Sequence, residues 1–123
     1  MTGPAEGSVA EFQQTAGDTV FFAFDSHALT SEARSTLDRQ AAWLQSNSGV
    51  TVRVEGNCDE RGTQEYNLAL GERRALAVRG HLISLGVSGD RLITISYGEE
   101  LPADQGQNEI AWASNRRAHF AIR

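Results

Sequence analysis

Seven stretches of the chain carry a hydrophobic pattern regular enough to assign. Thr19-Val20-Phe21-Phe22-Ala23-Phe24 is β-branched and aromatic and stops at Asp25-Ser26, which predicts a mostly buried first strand. Ala33, Leu37, Ala41 and Leu44 then recur at helical spacing, between the capping candidate Thr30 and the breaker-rich Ser46-Asn47-Ser48-Gly49. Val50-Thr51-Val52-Arg53-Val54 alternates as a second strand and gives way to a charged, glycine-flanked loop over 55–62. A longer helix is predicted from about Glu65 to Leu85, with Ala75, Val78 and Leu82 on its buried face and Gly86 as its C-cap. Leu92 to Tyr97 reads as a third strand, Glu109 to Ala113 as one or two helical turns, and Ala118 to Ile122 as a last strand. The order βαβαβ(α)β defines an α/β (α+β) domain with helices packed on one mixed sheet. Helical crossovers favour parallel pairing, and the short final connection allows an antiparallel partner.

Before Asp18 the pattern fades. Residues 1–17 are mostly small and polar and are expected to form a flexible leader, with the domain over 18–123. Their first eight residues have neither a basic nor an apolar region, so they do not read as an intact secretion signal.

Composition narrows the function classes. A chain of 123 residues with 40% hydrophobic and 22% charged residues can build one core without staples. No apolar run approaches the roughly 18 residues a membrane span requires. A net charge of −5 removes the broad basic footprint of a nucleic-acid or anionic-membrane binder. The single cysteine, Cys58, has no internal disulfide partner, and His27, His81 and His119 lack the paired spacings of a zinc site. Neither a metal nor a cofactor is expected.

The candidate chemistry lies between Glu55 and Ala75, where a strand ends, a charged loop turns and a helix begins, a place where α/β sheets present ligand-binding groups. Asn67 and Arg74 are seven residues apart, hence at nearly the same angle around the helix, and both can face the Asp59 loop. A carboxylate opposed to a guanidinium is the minimal pocket for an α-amino-acid group: the carboxylate takes the ammonium, and the arginine fork takes the carboxylate bidentately. The same charges, together with Glu60, Arg61, Glu72 and Arg73, also suit a solvated surface lattice. Spacing alone leaves both readings open.

The run Asn57-Cys58-Asp59-Glu60-Arg61-Gly62-Thr63-Gln64-Glu65-Tyr66-Asn67-Leu68-Ala69-Leu70-Gly71-Glu72-Arg73-Arg74-Ala75 resembles the signature of OmpA-like peptidoglycan-binding domains, in the form found in the peptidoglycan-associated lipoprotein (Pal) family. The resemblance extends to Val20 to Asp25, to Ser96-Tyr97-Gly98-Glu99-Glu100 and to Ala111 to Ala118, nearly everything after the leader. It implies an OmpA-like two-layer sandwich and noncovalent, non-catalytic binding of the peptidoglycan peptide stem at meso-diaminopimelate. Asp59 and Arg74 fall on the family's ligand-pairing residues, with Asn67, Asp25 and Arg117 as further site positions. It also implies a lipid anchor to the periplasmic face of the Gram-negative outer membrane, and a place in the Tol-Pal system of envelope integrity and cell division with a TolB-like periplasmic partner. Two departures stand out: Cys58 occupies a position where many relatives carry Thr or Ala, and no acylated cysteine precedes the domain in this sequence.

The alternatives differ in what they need. An enzyme needs a nucleophile beside a base, and no histidine is near Cys58 in sequence; a packed, inert thiol is the expectation. A flagellar stator or OmpA-type outer-membrane protein would share the fold but bring membrane segments. A protein-interaction module would use the Glu99 to Trp112 segment. Phe21, Phe22, Trp43 and Tyr97 are expected in the core or at its edge rather than as sugar-stacking rings, and Trp112 in a loop.

Overall fold

Four polar side chains fix where the helices begin. Ser8, Thr30, Thr63 and Asn108 each hold an extended backbone and accept a hydrogen bond from the N–H three residues on, satisfying a donor the first turn would leave orphaned. The computed structural model describes residues 3–123. Its helices are α1 (Val9–Thr15), α2 (Ser31–Ser46), α3 (Gln64–Ser84) and α4 (Glu109–Asn115); its strands are β1 (Thr19–Phe21), β2 (Val52–Asn57), β3 (Leu92–Gly98) and β4 (Arg117–Ile122), with a 3-10 turn before β3. Gly86, at φ +102°, ends α3 in the left-handed conformation that costs glycine no Cβ clash. Among the described residues no helix is long and apolar enough to cross a membrane.

The strands form one mixed sheet in the order β1-β4-β2-β3. β2 and β3 run parallel, joined by the α3 crossover, whereas β4 lies antiparallel to both β1 and β2. The last strand is therefore central: it inserts between two strands made far earlier and does not pair with β3, which precedes it. Its inward residues Ala118 and Phe120 meet Val20, Val52, Val54, Leu37, Leu44, Val78 and Leu82 in the core between sheet and helices.

Three expectations are corrected here. The segment read as a leader contains α1, whose Phe12 is fully buried, edge-on to Trp43 at 4.9 Å and stacked on Phe120 at 5.8 Å. The packed unit thus begins at the Ser8 cap rather than near Asp18; seven residues are too few to show a helical period, so one aromatic anchor carried the element. Met1 and Thr2 lie outside the described residues. Phe21 is exposed, because alternation along β1 that buries Val20 turns Phe21 to the open face of the sheet. Glu55-Gly56-Asn57, expected as loop, extend β2 and pair with both β3 and β4.

The extension of β2 matters for what lies beyond it. A Cβ on Gly56 would fall inside the carbonyl of Gly71 in α3, and a Cβ on Gly71 would strike Ser96 Oγ and come within 3.0 Å of Gly56 O. Two glycines face to face let α3 approach the sheet far closer than side chains allow. That contact sets the distance between the end of β2, which leads to Asp59, and the helix that carries Asn67 and Arg74.

Candidate ligand-binding site

The charge run divides. Glu60, Glu72 and Arg73 are exposed, as a solvated lattice would have them, whereas Asp59 and Arg74 are only 4% and 1% exposed. Together with Asp25, Cys58 and Asn67 they line a single cleft of about 360 Å³ at the ends of β2 and α3.

Arg74 is held as a strut. Its Nε donates to Ser26 O at 2.9 Å, Nη1 to Asn57 O at 2.9 Å and Nη2 to Ala23 O at 3.1 Å. A guanidinium has five N–H donors, so these three bonds leave one free on each terminal nitrogen. Among the described residues no carboxylate forms an ion pair with it. Burial pushes its pKa down, opposed by the negative charges of Cys58, once ionised, and of Asp59. A desolvated cation without a direct ion pair and with one N–H to spare on each terminal nitrogen is chemically suited to seat an anion.

Asp59 is already engaged. Its Oδ1 accepts from the Arg61 backbone N–H at 3.0 Å and from Arg61 Nε at 3.2 Å; its Oδ2 accepts from Arg61 Nη2 at 2.8 Å and from Arg116 Nη1 at 3.4 Å. Burial acts to raise its pKa, but the Arg61 and Arg116 bonds outweigh it and hold the carboxyl below its ordinary value of 3.8. With the folded value depressed, the stabilisation is present above the ordinary value and is lost as pH falls through the lower one; the site carries its negative charge throughout the neutral range. Arg61 itself is clamped between two rings, with its guanidinium carbon 4.0 Å from the Phe24 centroid and 4.1 Å from that of Trp112. Trp112 lies in α4 rather than in a loop, and its indole N–H donates to Glu60 Oε1 at 2.9 Å.

Asn67 shares its amide N–H groups among Asp59 O at 3.4 Å, Arg61 O at 3.1 Å and Glu99 Oε1 at 2.9 Å, tying the loop to the helix. Asp25 lies four residues past β1, at φ +52°, a left-handed conformation that Asp tolerates better than most side chains. Its carboxylate accepts from the hydroxyl of Tyr66, which reaches across from α3. Asp25, Asp59, Asn67 and Arg74 thus all line this cleft.

Arg117 does not. As the first residue of β4 it stands on the face opposite Ala118, where it donates to Leu101 O at 3.1 Å and Asn115 O at 3.4 Å. Its neighbour Arg116, the C-cap of α4, is the arginine that reaches the site, donating to Phe22 O at 2.9 Å and bridging Asp59 to Glu109. The sequence displayed both; choosing between adjacent arginines requires knowing where the strand starts. Pattern and spacing did not single out Phe24, Arg61 and Tyr66, which line the cleft, or Arg116 and Trp112, which contact Asp59 and Arg61.

Cys58 is buried and donates from Sγ to Asn67 O at 3.3 Å. Burial pushes its pKa up to about 11, which cuts the thiolate fraction at neutral pH about a hundredfold relative to the ordinary 9.0. Labelling with a thiol reagent is therefore expected to be slow in the native domain and fast in denaturant; rapid native labelling would contradict the packing described here.

A short charged loop and a helix packed on the end of a mixed-sheet strand place a buried carboxylate and a buried guanidinium on one cleft of a small α/β domain. The chain belongs to the OmpA family, whose model matches residues 21–116. Among named relatives it is similar to the peptidoglycan-associated lipoprotein of Rhizobium meliloti (strain 1021), 49% identical over 112 residues that cover 91% of this chain and 64% of that protein. The chain thus spans a little under two thirds of that relative's length. The crystal structure of the peptidoglycan-associated lipoprotein from Burkholderia pseudomallei superposes with a TM-score of 0.83 at 42% identity, over 86% of this chain and 90% of that one. The C-terminal domain of Helicobacter pylori MotB shares the fold, with a TM-score of 0.80 at 24% identity over 86% of this chain and 84% of that one.

Proposed function

We propose that this domain binds the peptide stem of peptidoglycan without catalysis, gripping the zwitterionic end of meso-diaminopimelate, and so tethers an outer membrane to the cell wall. The observation that carries this reading is Arg74: a buried guanidinium with no direct ion pair among the described residues and one spare N–H on each terminal nitrogen, in a cleft that also holds Asp59. A free α-amino-acid end supplies a carboxylate for the first and an ammonium for the second. The names of the relatives, which associate those proteins with peptidoglycan and call them lipoproteins, support the same assignment. A lipid anchor on the periplasmic face of the outer membrane and membership of a Tol-Pal system belong to this proposal.

The test follows from the chemistry of the two ends. Lysine in the same stem position keeps the ammonium but lacks the carboxylate, and amidation of diaminopimelate removes its charge. Either change should weaken binding about ten- to a hundredfold, the worth of a lost charge-assisted pair. Calorimetric titration with matched stem peptides measures this; equal affinity for all three would remove Arg74 from its role.

The proposal extends to a TolB-like periplasmic partner docking on the segment over 99–112, where Leu101 and Ile110 stand exposed. In this reading partner and wall compete for neighbouring surface. A stable ternary complex pulled down on cell-wall sacculi would contradict it.

A further inference from the structure

A carboxylate has about four lone-pair sites for hydrogen bonds. In Asp59 all four are taken: one by the Arg61 backbone, two by the Arg61 side chain and one by Arg116. The Asp59 side chain is only 5% exposed, so little oxygen surface is left for water or a ligand. A ligand ammonium therefore has no seat on Asp59 while the Arg61 side chain remains in place.

We infer that Arg61 occupies the cation seat of this site in the free protein as a built-in competitor, and that a ligand ammonium is admitted only when the Arg61 side chain swings out. This rests on the zwitterion reading of the site and adds to it a gate.

The surroundings suit an exchange rather than a permanent pair. The Arg61 side chain is 31% exposed, so its guanidinium has a path to solvent, while Arg116 is 9% exposed and anchored on Phe22 O. When Arg61 leaves, its backbone N–H and Arg116 stay, and Asp59 keeps a counter-charge. One lone pair on each oxygen is vacated, which a single ammonium with three donors can fill. The rings of Phe24 and Trp112 that flank the guanidinium hold Arg61 in the seat. The seat thus discriminates by strength: a ligand offering only an ammonium competes with Arg61 for one residue, whereas a zwitterion adds the Arg74 interaction, which no part of the chain opposes.

The experiment compares the parent domain with Arg61→Ala and Trp112→Leu, titrated with a synthetic stem peptide ending in meso-diaminopimelate. If the seat is free about a tenth of the time in the parent, Arg61→Ala should bind about tenfold tighter, because apparent affinity is intrinsic affinity multiplied by the competent fraction. Trp112→Leu, which removes one ring but leaves every charge, should tighten binding about two- to threefold. In the parent the peptide should also shift the Trp112 emission in step with the binding heat as the guanidinium leaves the ring, and that shift should be missing in Arg61→Ala while the heat remains. Unimproved or weaker binding by folded Arg61→Ala, with the parent still binding, overturns the exchange alone. Should Arg61→Ala fail to fold, unimproved binding by Trp112→Leu overturns it in the same way. No heat from any of the three proteins overturns the exchange and the diaminopimelate reading together.

Discussion

Arg74→Ala is expected both to abolish co-sedimentation of the domain with insoluble cell-wall sacculi and to destabilise it by about 2 to 5 kcal/mol. The two losses have different causes. Arg74 donates to the carbonyls of Ala23, Ser26 and Asn57, so truncation orphans three backbone acceptors that knit the loop after β1 to the end of β2. Each buried acceptor left without a partner costs about 1 to 3 kcal/mol, less where water enters the space vacated by the side chain. Loss of binding comes instead from the ligand carboxylate, which loses its bidentate partner in a desolvated cleft. Arg74→Lys separates the effects, since an ammonium keeps the charge and part of the strut but not the fork. It should unfold at a denaturant concentration between those of the parent and the alanine variant, yet bind sacculi about ten- to a hundredfold more weakly than the parent. Parent-like pelleting of Arg74→Lys would mean that the planar fork is not what reads the wall.

Gly56→Ala should be the most disruptive single methyl in the fold, with an expected cost of about 3 kcal/mol or more in urea unfolding, at the upper end of overpacking effects. The added carbon would overlap the carbonyl oxygen of Gly71, a backbone atom with no rotamer to adopt, so α3 must move off the sheet. Gly71→Ala makes the converse contact more mildly, because Ser96 Oγ can rotate away and Gly56 O stands at 3.0 Å. An alanine inside α3 also recovers about 1 kcal/mol of helix propensity. Its net cost should be about 1 to 2 kcal/mol. Because the same contact sets Asp59 against Arg74, both variants should lose affinity for sacculi in the order of their destabilisation. A Gly56→Ala domain as stable as the parent would show that the helix is not seated where it is described.

The local rules of the chain were legible without coordinates wherever a pattern repeats or a cap is spelled out. The α2 and α3 stripes, the Thr30 cap, the Gly86 stop and the alternating strands depend on neighbours within a few residues, and periodicity exposes them. The seven-residue spacing of Asn67 and Arg74 put both on one buried face for the same reason. Resemblance pointed to a site rather than a solvated lattice where spacing left both open, and the structure buries the Asp59 and Arg74 charges away from the exposed Glu60, Glu72 and Arg73. Tertiary structure alone decided the rest, because each remaining feature is a meeting of residues far apart in sequence. α1 is held by Phe12 against Trp43 and Phe120, contacts that no local period announces. Insertion of β4 between β1 and β2 is a choice among strand edges that connection length does not make. The selection of Arg116 over Arg117 follows from the residue at which β4 begins, since one step along a strand reverses the face a side chain occupies. Occupation of the Asp59 seat by Arg61 needs Phe24 from one end of the chain and Trp112 from the other, brought to the same guanidinium only when the sheet closes over its core.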